Sequence, residues 1–216
     1  MNAHPFPRAV IFDWDNTLVE SWGAIAEAIN ATFDHFNRPR WTLDEVKANC
    51  IRSARESFPE WFGDHWQEAS DIFYARFSEV QMKNLRPLDG AQNLLEFLAR
   101  QKIPAFVVSN KNGTFLRREA DALGWTGHFV SIIGATDAAK DKPAREHADH
   151  ALQLGGMTAD ASVWFIGDSV ADIACARNAG CTPVVVGDAK LAAQHKVEMS
   201  FAGLNELLSL LSRALR

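Results

Sequence analysis

Ala9-Val10-Ile11-Phe12 runs directly into Asp13-Trp14-Asp15-Asn16-Thr17. Four apolar residues followed at once by carboxylates read as a strand buried on both faces, with polar chemistry at its carboxyl end. The same pattern recurs along the chain. Ile103 to Val108 ends at Ser109-Asn110, Val130 to Ile133 at Gly134, Val163 to Ile166 at Gly167-Asp168, and Pro183 to Val186 at Gly187-Asp188. Short β-branched runs bounded by Gly, Asp, Asn or Pro predict strands. Helical patterns lie between them, at about 91–101, 114–123, 144–154, 170–179 and 204–214. In the first, Leu94, Leu95 and Leu98 mark one apolar face. Strand and helix in alternation predict an α/β fold, a doubly wound, Rossmann-like parallel sheet covered on both faces.

One stretch interrupts the alternation. From about Ser21 to Leu85 the sequence shows only helical periodicity, rich in Trp22, Phe33, Phe36, Trp41, Phe58, Trp61, Phe62, Trp66, Phe73 and Phe77. Arg86-Pro87-Leu88-Asp89-Gly90 then reads as a turn back into the alternating pattern. The predicted organisation is an α/β core of 1–20 and 87–216 with a small all-helical insert, 21–86. Most of its aromatics are expected in the insert's own core, with Trp22, Trp41 and Trp61 as candidates to face a ligand.

Composition narrows the partners. The 216 residues carry 22 Lys and Arg against 27 Asp and Glu, a net charge of −5 that disfavours nucleic acid and anionic membranes. No apolar run approaches the roughly 18 residues that span a bilayer, and Met1 to Arg8 lacks a secretory pattern. Cys50, Cys175 and Cys181, odd in number and without Cys-x-x-Cys, fit buried thiols in a reducing cytoplasm. The hydrophobic fraction of 47% supports a core that needs no disulfide.

Ligands of open parallel sheets bind beyond the carboxyl ends of the strands. The residues expected there are Asp13 and Asp15, Ser109, Asn110 and Lys111, the connection Lys140-Asp141-Lys142-Pro143, and Asp168 and Asp172, so that four carboxylates, a hydroxyl, an amide and a lysine converge. Two like charges about 4 Å apart repel by roughly 4 kcal/mol at an effective dielectric of 20, so four gathered carboxylates call for a cation. An all-oxygen donor set suits Mg²⁺. His147 and His150, one turn apart, are read as a solvated helix face, and Lys111 as solvated. No Gly-x-Gly-x-x-Gly or Gly-Lys-Ser/Thr motif follows a strand, which disfavours a dinucleotide or P-loop enzyme.

This order of motifs, spread from residue 11 to residue 172, resembles the haloacid dehalogenase superfamily, and within it the Mg²⁺-dependent phosphatases of the phosphoglycolate-phosphatase type. The resemblance implies Asp13 as nucleophile, forming an aspartyl phosphate, and Asp15 as general acid and then base. It implies Ser109 and Asn110 as phosphate-binding residues. Lys142, followed by Pro143, would neutralise the nucleophile and the phosphoryl group, with Lys140 as a nearby competitor. Asp168 would hold Mg²⁺ with the Asp13 carboxylate and the Asp15 backbone carbonyl. Asp172 would support the metal, cap a helix from Ser169, or do both. The family often has Gly where Asn16 stands; Asn tolerates the left-handed backbone that Gly permits.

The implied substrate is a small phosphorylated metabolite, and the protein a monomer or homodimer. A carboxylate at Asp15 argues against a dehalogenase. A phosphosugar mutase, a phosphonatase and a non-catalytic, receiver-like phosphate-binding module remain alternatives. Lys47 and Lys83 are the only insert lysines, which weakens the Schiff-base phosphonatase. The insert, read as a cap, would hinge at Val19–Ser21 and Arg86–Gly90.

Overall fold

The computed structural model describes residues 6–214, so residues 1–5 of the Met1 to Arg8 stretch lie outside the described residues. The chain opens with β1 (Ala9–Phe12) and the two-residue strand β2 (Val19–Glu20). It then forms α1 (Trp22–His35), α2 (Leu43–Asn49), α3 (Ala54–Phe62), α4 (Trp66–Asn84) and β3 (Arg86–Pro87), which pairs with β2. Strand and helix alternate from there: α5 (Ala91–Arg100), β4 (Ala105–Asn112), α6 (Gly113–Ala122), β5 (Ser131–Ala135), α7 (Arg145–Leu154), β6 (Val163–Gly167), α8 (Val170–Ala179), β7 (Thr182–Val186), α9 (Ala189–Gln194), β8 (Met199–Phe201) and α10 (Leu204–Arg213). Two compact units result, one of Met1–Val19 with Pro87–Arg216, the other of Glu20–Arg86.

The first unit holds a six-stranded sheet in the order β5-β4-β1-β6-β7-β8, every pair parallel. β1 lies inside it, with Phe12 opposite Val107 of β4 and Ile166 of β6. Ala9, Val10, Ile11 and Phe12 are all fully buried, because alternate side chains enter layers on both faces. Ile11, Phe106, Val108, Ile133 and Phe165 pack with Ala148, Ala151 and Leu152 of α7 and Cys175 and Ala176 of α8. Leu94, Leu95 and Leu98 of α5 are buried, as the three-to-four spacing requires.

The sheet differs from the sequence reading in two places. It has a sixth strand, Met199-Ser200-Phe201, preceded by α9; three residues with a central serine are too short to show periodicity, and pairing with β7 holds them extended. β4 also runs on to Asn112, with a register shift between Val108 and Asn112. Ser109 and Asn110 therefore lie within the strand and not after it.

The helical unit is built on Ile29, Phe33, Val46, Phe58, Phe62 and Ala69. Phe33 meets Trp41 edge-on at 4.6 Å, Trp41 meets Trp61 at 5.2 Å, and Phe58 meets Phe73 at 5.4 Å. Such ring pairs each add about 0.5–1.5 kcal/mol beyond the area they bury. Trp22, Trp41 and Trp61 pack partly buried against this cluster. Trp41 is also fixed through its backbone, which exchanges two hydrogen bonds with the Asn30 amide at 2.8 and 2.9 Å. Thr42 and Glu45 form a reciprocal capping box at the start of α2.

Candidate active site

The sheet register decides what meets at its carboxyl edge. Phe12 and Ile166 are partners in adjacent strands, so Asp13 and Asp168 emerge side by side, and the Asp13 amide donates to the Ile166 carbonyl at 2.9 Å. After Asp13 the chain turns. The Leu18 amide donates to the Trp14 carbonyl at 2.9 Å and the Asn16 amide to the Val19 carbonyl at 2.6 Å. Asn16 has φ of 61°, the left-handed conformation expected of a residue standing in for Gly.

Lys142 is the central cation. It is 2% exposed, and its Nζ donates to Asp13 Oδ1 at 2.6 Å and Asp172 Oδ1 at 2.7 Å. Burial disfavours its charge, but Asp13 and Asp172 together outweigh that and hold it above the ordinary lysine range. Burial raises the Asp13 carboxyl to about 7; Lys142 opposes the rise and Asp172 adds to it. Asp168 is also pushed well above the carboxylate range, by burial and then by Asp13 and Asp172. The Thr17 hydroxyl lies 3.4 Å from Asp168 Oδ1 as a donor.

Asp172 takes the capping role the sequence allowed it, and it also pairs with Lys142. One carboxylate oxygen faces Lys142, and the other accepts from the Ser169 amide at 3.0 Å and hydroxyl at 2.5 Å, completing a capping box at the start of α8. Gly167 permits this: a Cβ there would lie 2.3 Å from the Asp172 carboxyl carbon.

Asp13, Asp168 and Asp172 each place a carboxylate oxygen within 4.8 Å of the others, the one group among the described residues close enough to share a metal ion. The donors fit a hard divalent cation. They are all oxygens, and only two of the three carboxylates, Asp13 and Asp172, are paired with the Lys142 ammonium. The Asp15 side chain is not in this group.

Three sequence expectations are corrected here. Lys111 is not solvated: its side chain is 5% exposed, and Nζ donates to Asp15 Oδ1 at 2.6 Å and Glu119 Oε2 at 2.7 Å. His147 is not on a solvated face: it is fully buried, its Nδ1 accepts from the Lys142 amide at 3.1 Å and its Nε2 lies 3.1 Å from the Gly134 carbonyl. Nδ1 as acceptor assigns the proton to Nε2. Burial, then the Lys142 charge, lowers its pKa to about 4, so it is a neutral backbone support. Cys50 is only half-buried, whereas Cys175 and Cys181 are buried. Burial pushes all three thiols up to about 12, which removes thiolate chemistry near neutral pH.

Ser109 is 1% exposed and its hydroxyl accepts from the Lys111 amide at 3.2 Å. The Asn110 amide is strapped to the Lys142 backbone in both directions, at 3.0 and 3.2 Å. Asn110 and His147 thus both fix the segment that delivers Lys142, whose bond to Pro143 is cis. Lys140, the competitor, is exposed and paired with Glu146 at 3.2 Å. Glu119, 2% exposed on α6, was missed by the sequence reading. Its one available signal was an acidic residue next to Ala120 on the buried side of an amphipathic helix.

No helix among the described residues is long and apolar enough to cross a membrane. The profile of the haloacid dehalogenase-like hydrolases matches residues 10–186. A phosphoglycolate phosphatase of Chromobacterium violaceum is 29% identical over 189 residues, covering 83% of this chain and 85% of that protein. A Had-superfamily hydrolase from Ehrlichia chaffeensis superposes with a TM-score of 0.69 at 29% identity, over 99% of this chain and 100% of that one. A predicted phosphoglycolate phosphatase from Haemophilus somnus shares the fold with a TM-score of 0.83 at 22% identity, over 94% of this chain and 97% of that one. With the Asp13–Lys142–Asp172 set at the edge of this sheet, and a match over most of its length, the chain belongs to the haloacid dehalogenase-like hydrolase family.

Proposed function

We propose that the protein is a Mg²⁺-dependent phosphatase of small phosphorylated metabolites, phosphoglycolate-like, acting through an aspartyl phosphate on Asp13. The observation that carries this reading is the Lys142 ammonium held between Asp13 and Asp172 with Asp168 beside them. Asp13, Asp168 and Asp172, with the Asp15 backbone carbonyl, would hold the Mg²⁺. When bound, the ion supplies positive charge against which phosphoryl oxygens and the nucleophile can approach one another.

Lys142 favours the ionised, nucleophilic form of Asp13. An Asp13 oxygen attacks phosphorus; the O–P bond forms as the ester P–O bond breaks, and Asp15 gives a proton to the departing alkoxide oxygen. Water then attacks the aspartyl phosphate, with Asp15 taking its proton, and phosphate leaves as the Asp13 carboxylate is restored. The Ser109 hydroxyl and neighbouring backbone N–H groups hold phosphoryl oxygens as charge shifts onto them. Splitting one displacement into two suits a reaction whose uncatalysed rate is among the slowest known.

A panel of phosphorylated metabolites and p-nitrophenyl phosphate, assayed with wild type and Asp13→Asn, tests the reading. Turnover by wild type and a fall of about 10⁴-fold or more in the variant are expected, the scale on which loss of a nucleophile is felt. Undiminished hydrolysis by Asp13→Asn would overturn it. A stable phosphoprotein without turnover would favour the receiver-like alternative.

A further inference from the structure

Trp14 and Asp15 are both tied to Glu119. The indole N–H of Trp14 donates to Glu119 Oε2 at 2.7 Å, and the same oxygen accepts from Lys111 Nζ at 2.7 Å. Lys111 Nζ in turn donates to Asp15 Oδ1 at 2.6 Å. With Asp13 held by Lys142, three consecutive residues after β1 are each pinned to a buried partner delivered by another part of the α/β unit. Trp14 is itself immobilised, fully buried and edge-on to Trp125 at 5.8 Å and Phe129 at 6.3 Å.

We propose that Lys111 and Glu119 are positioning residues that aim the Asp15 carboxyl at the leaving-group oxygen, an inference that rests on the reading of Asp15 as general acid given above. Stability does not account for the arrangement. A buried ion pair is a weak stabilising device, and apolar residues of similar volume often serve as well or better. Orientation does account for it. Asp15 sits on a turn with its side chain 18% exposed, and without Lys111 its carboxyl would rotate between solvent-facing rotamers. Glu119 keeps Lys111 from turning away and balances its charge, so that the ammonium does not depend on Asp15 alone. The step served is the one in which the ester P–O bond breaks and the Asp15 proton passes to the alkoxide. Misplacing a reacting group by about 1 Å can cost about 10²-fold, and a general acid as a whole contributes about 10²–10⁴-fold.

The test compares esters that differ in their need for a proton. p-Nitrophenolate leaves without one, whereas the alkoxide of phosphoglycolate does not. Lys111→Met and Glu119→Gln are assayed with Mg²⁺ for kcat/KM, which reports transfer to Asp13, and the Trp14 indole N–H resonance is followed by NMR. Glu119→Gln preserves volume and an acceptor for Trp14. The expected result is a fall of about 10²-fold for phosphoglycolate in Lys111→Met, a smaller fall in the same direction in Glu119→Gln, and little change for p-nitrophenyl phosphate in either. Should Lys111→Met fail to fold, the ester ratio of Glu119→Gln decides. Equal losses on both esters, or no loss on either, would overturn the positioning role while leaving the phosphatase reading in place. A wild type that cleaves neither ester would overturn both.

Discussion

Lys142 and Lys111 have closely matched surroundings: each is a buried ammonium bridging two carboxylates at 2.6 and 2.7 Å. Their neighbourhoods nevertheless differ. Beside Lys142 stands a third carboxylate, Asp168, close enough to share an ion with Asp13 and Asp172. Beside Lys111, Glu119 Oε2 also accepts from the Trp14 indole. The first set gathers three carboxylate oxygens within reach of one another, a donor set that suits a hard cation. The second links Trp14 directly, and Asp15 through Lys111, to one carboxylate oxygen. On the proposed mechanism, two similar lysine bridges divide the work: one tunes charge at Asp13, the other fixes the direction of Asp15.

The largest effect that sharpens this contrast is expected at Lys142. Lys142→Met should lower kcat by about 10²–10³-fold, the usual consequence of removing one charge-stabilising group from an active site, and should do so for p-nitrophenyl phosphate and phosphoglycolate alike. Steady-state kinetics on both esters checks this. If Lys142→Met discriminates between the esters as Lys111→Met is expected to, the distinction between the two lysines is lost.

The second effect concerns the cation. At about 100-fold excess over its Kd, Mg²⁺ should stabilise the wild type by about 2.7 kcal/mol, a rise in Tm of roughly 5–10 °C for a chain of this size. Asp168→Asn should remove most of that rise and Glu119→Gln none of it, as thermal denaturation with and without Mg²⁺ will show. A full Mg²⁺ response in Asp168→Asn would take Asp168 out of the metal site.

The smallest effect separates the backbone supports of the two lysines, since only the Lys142 segment leans on an imidazole. His147 in the folded protein titrates near 4, below the roughly 6.5 of a free histidine. As pH falls through 6.5 the unfolded chain takes up a proton that the folded one does not, so stability is lost between about 6.5 and 4. Between pH 7 and 5.5 the wild type should lose about 1 kcal/mol more than His147→Gln, measured by urea denaturation at each pH. The comparison cancels the carboxylates common to both proteins. Identical pH dependence would remove the neutral imidazole from this role.

What the sequence made legible follows from range. β1, β6 and β7 announced themselves as short apolar runs ending in polar residues or Gly, Asp13 and Asp168 by following strands, and Lys142 by its order in the chain. Lys111 and His147 could not be placed that way. Lys111 meets Asp15 across 96 positions of sequence and His147 meets Gly134 across 13, and neither contact leaves a periodic trace. A lone lysine or histidine is ordinarily solvated, and only tertiary packing reverses that expectation. β2, β3 and β8 were missed for the opposite reason, being too short for any alternation to register. Asp172 was open between two roles, because the capping pattern and the carboxylate spacing are both present in the same six residues; the cap is the one the structure displays.

The backbone N–H of Asp13 belongs to the ladder between β1 and β6, in a strand with no solvent-exposed residue. Its exchange with deuterium therefore awaits cooperative opening of the sheet, not local fraying. Many enzymes carry their reacting groups on segments that loosen first. Here Asp13, the proposed nucleophile, is bonded into a fully buried strand pair, and inactivation by protease or mild denaturant should track global unfolding of the α/β unit.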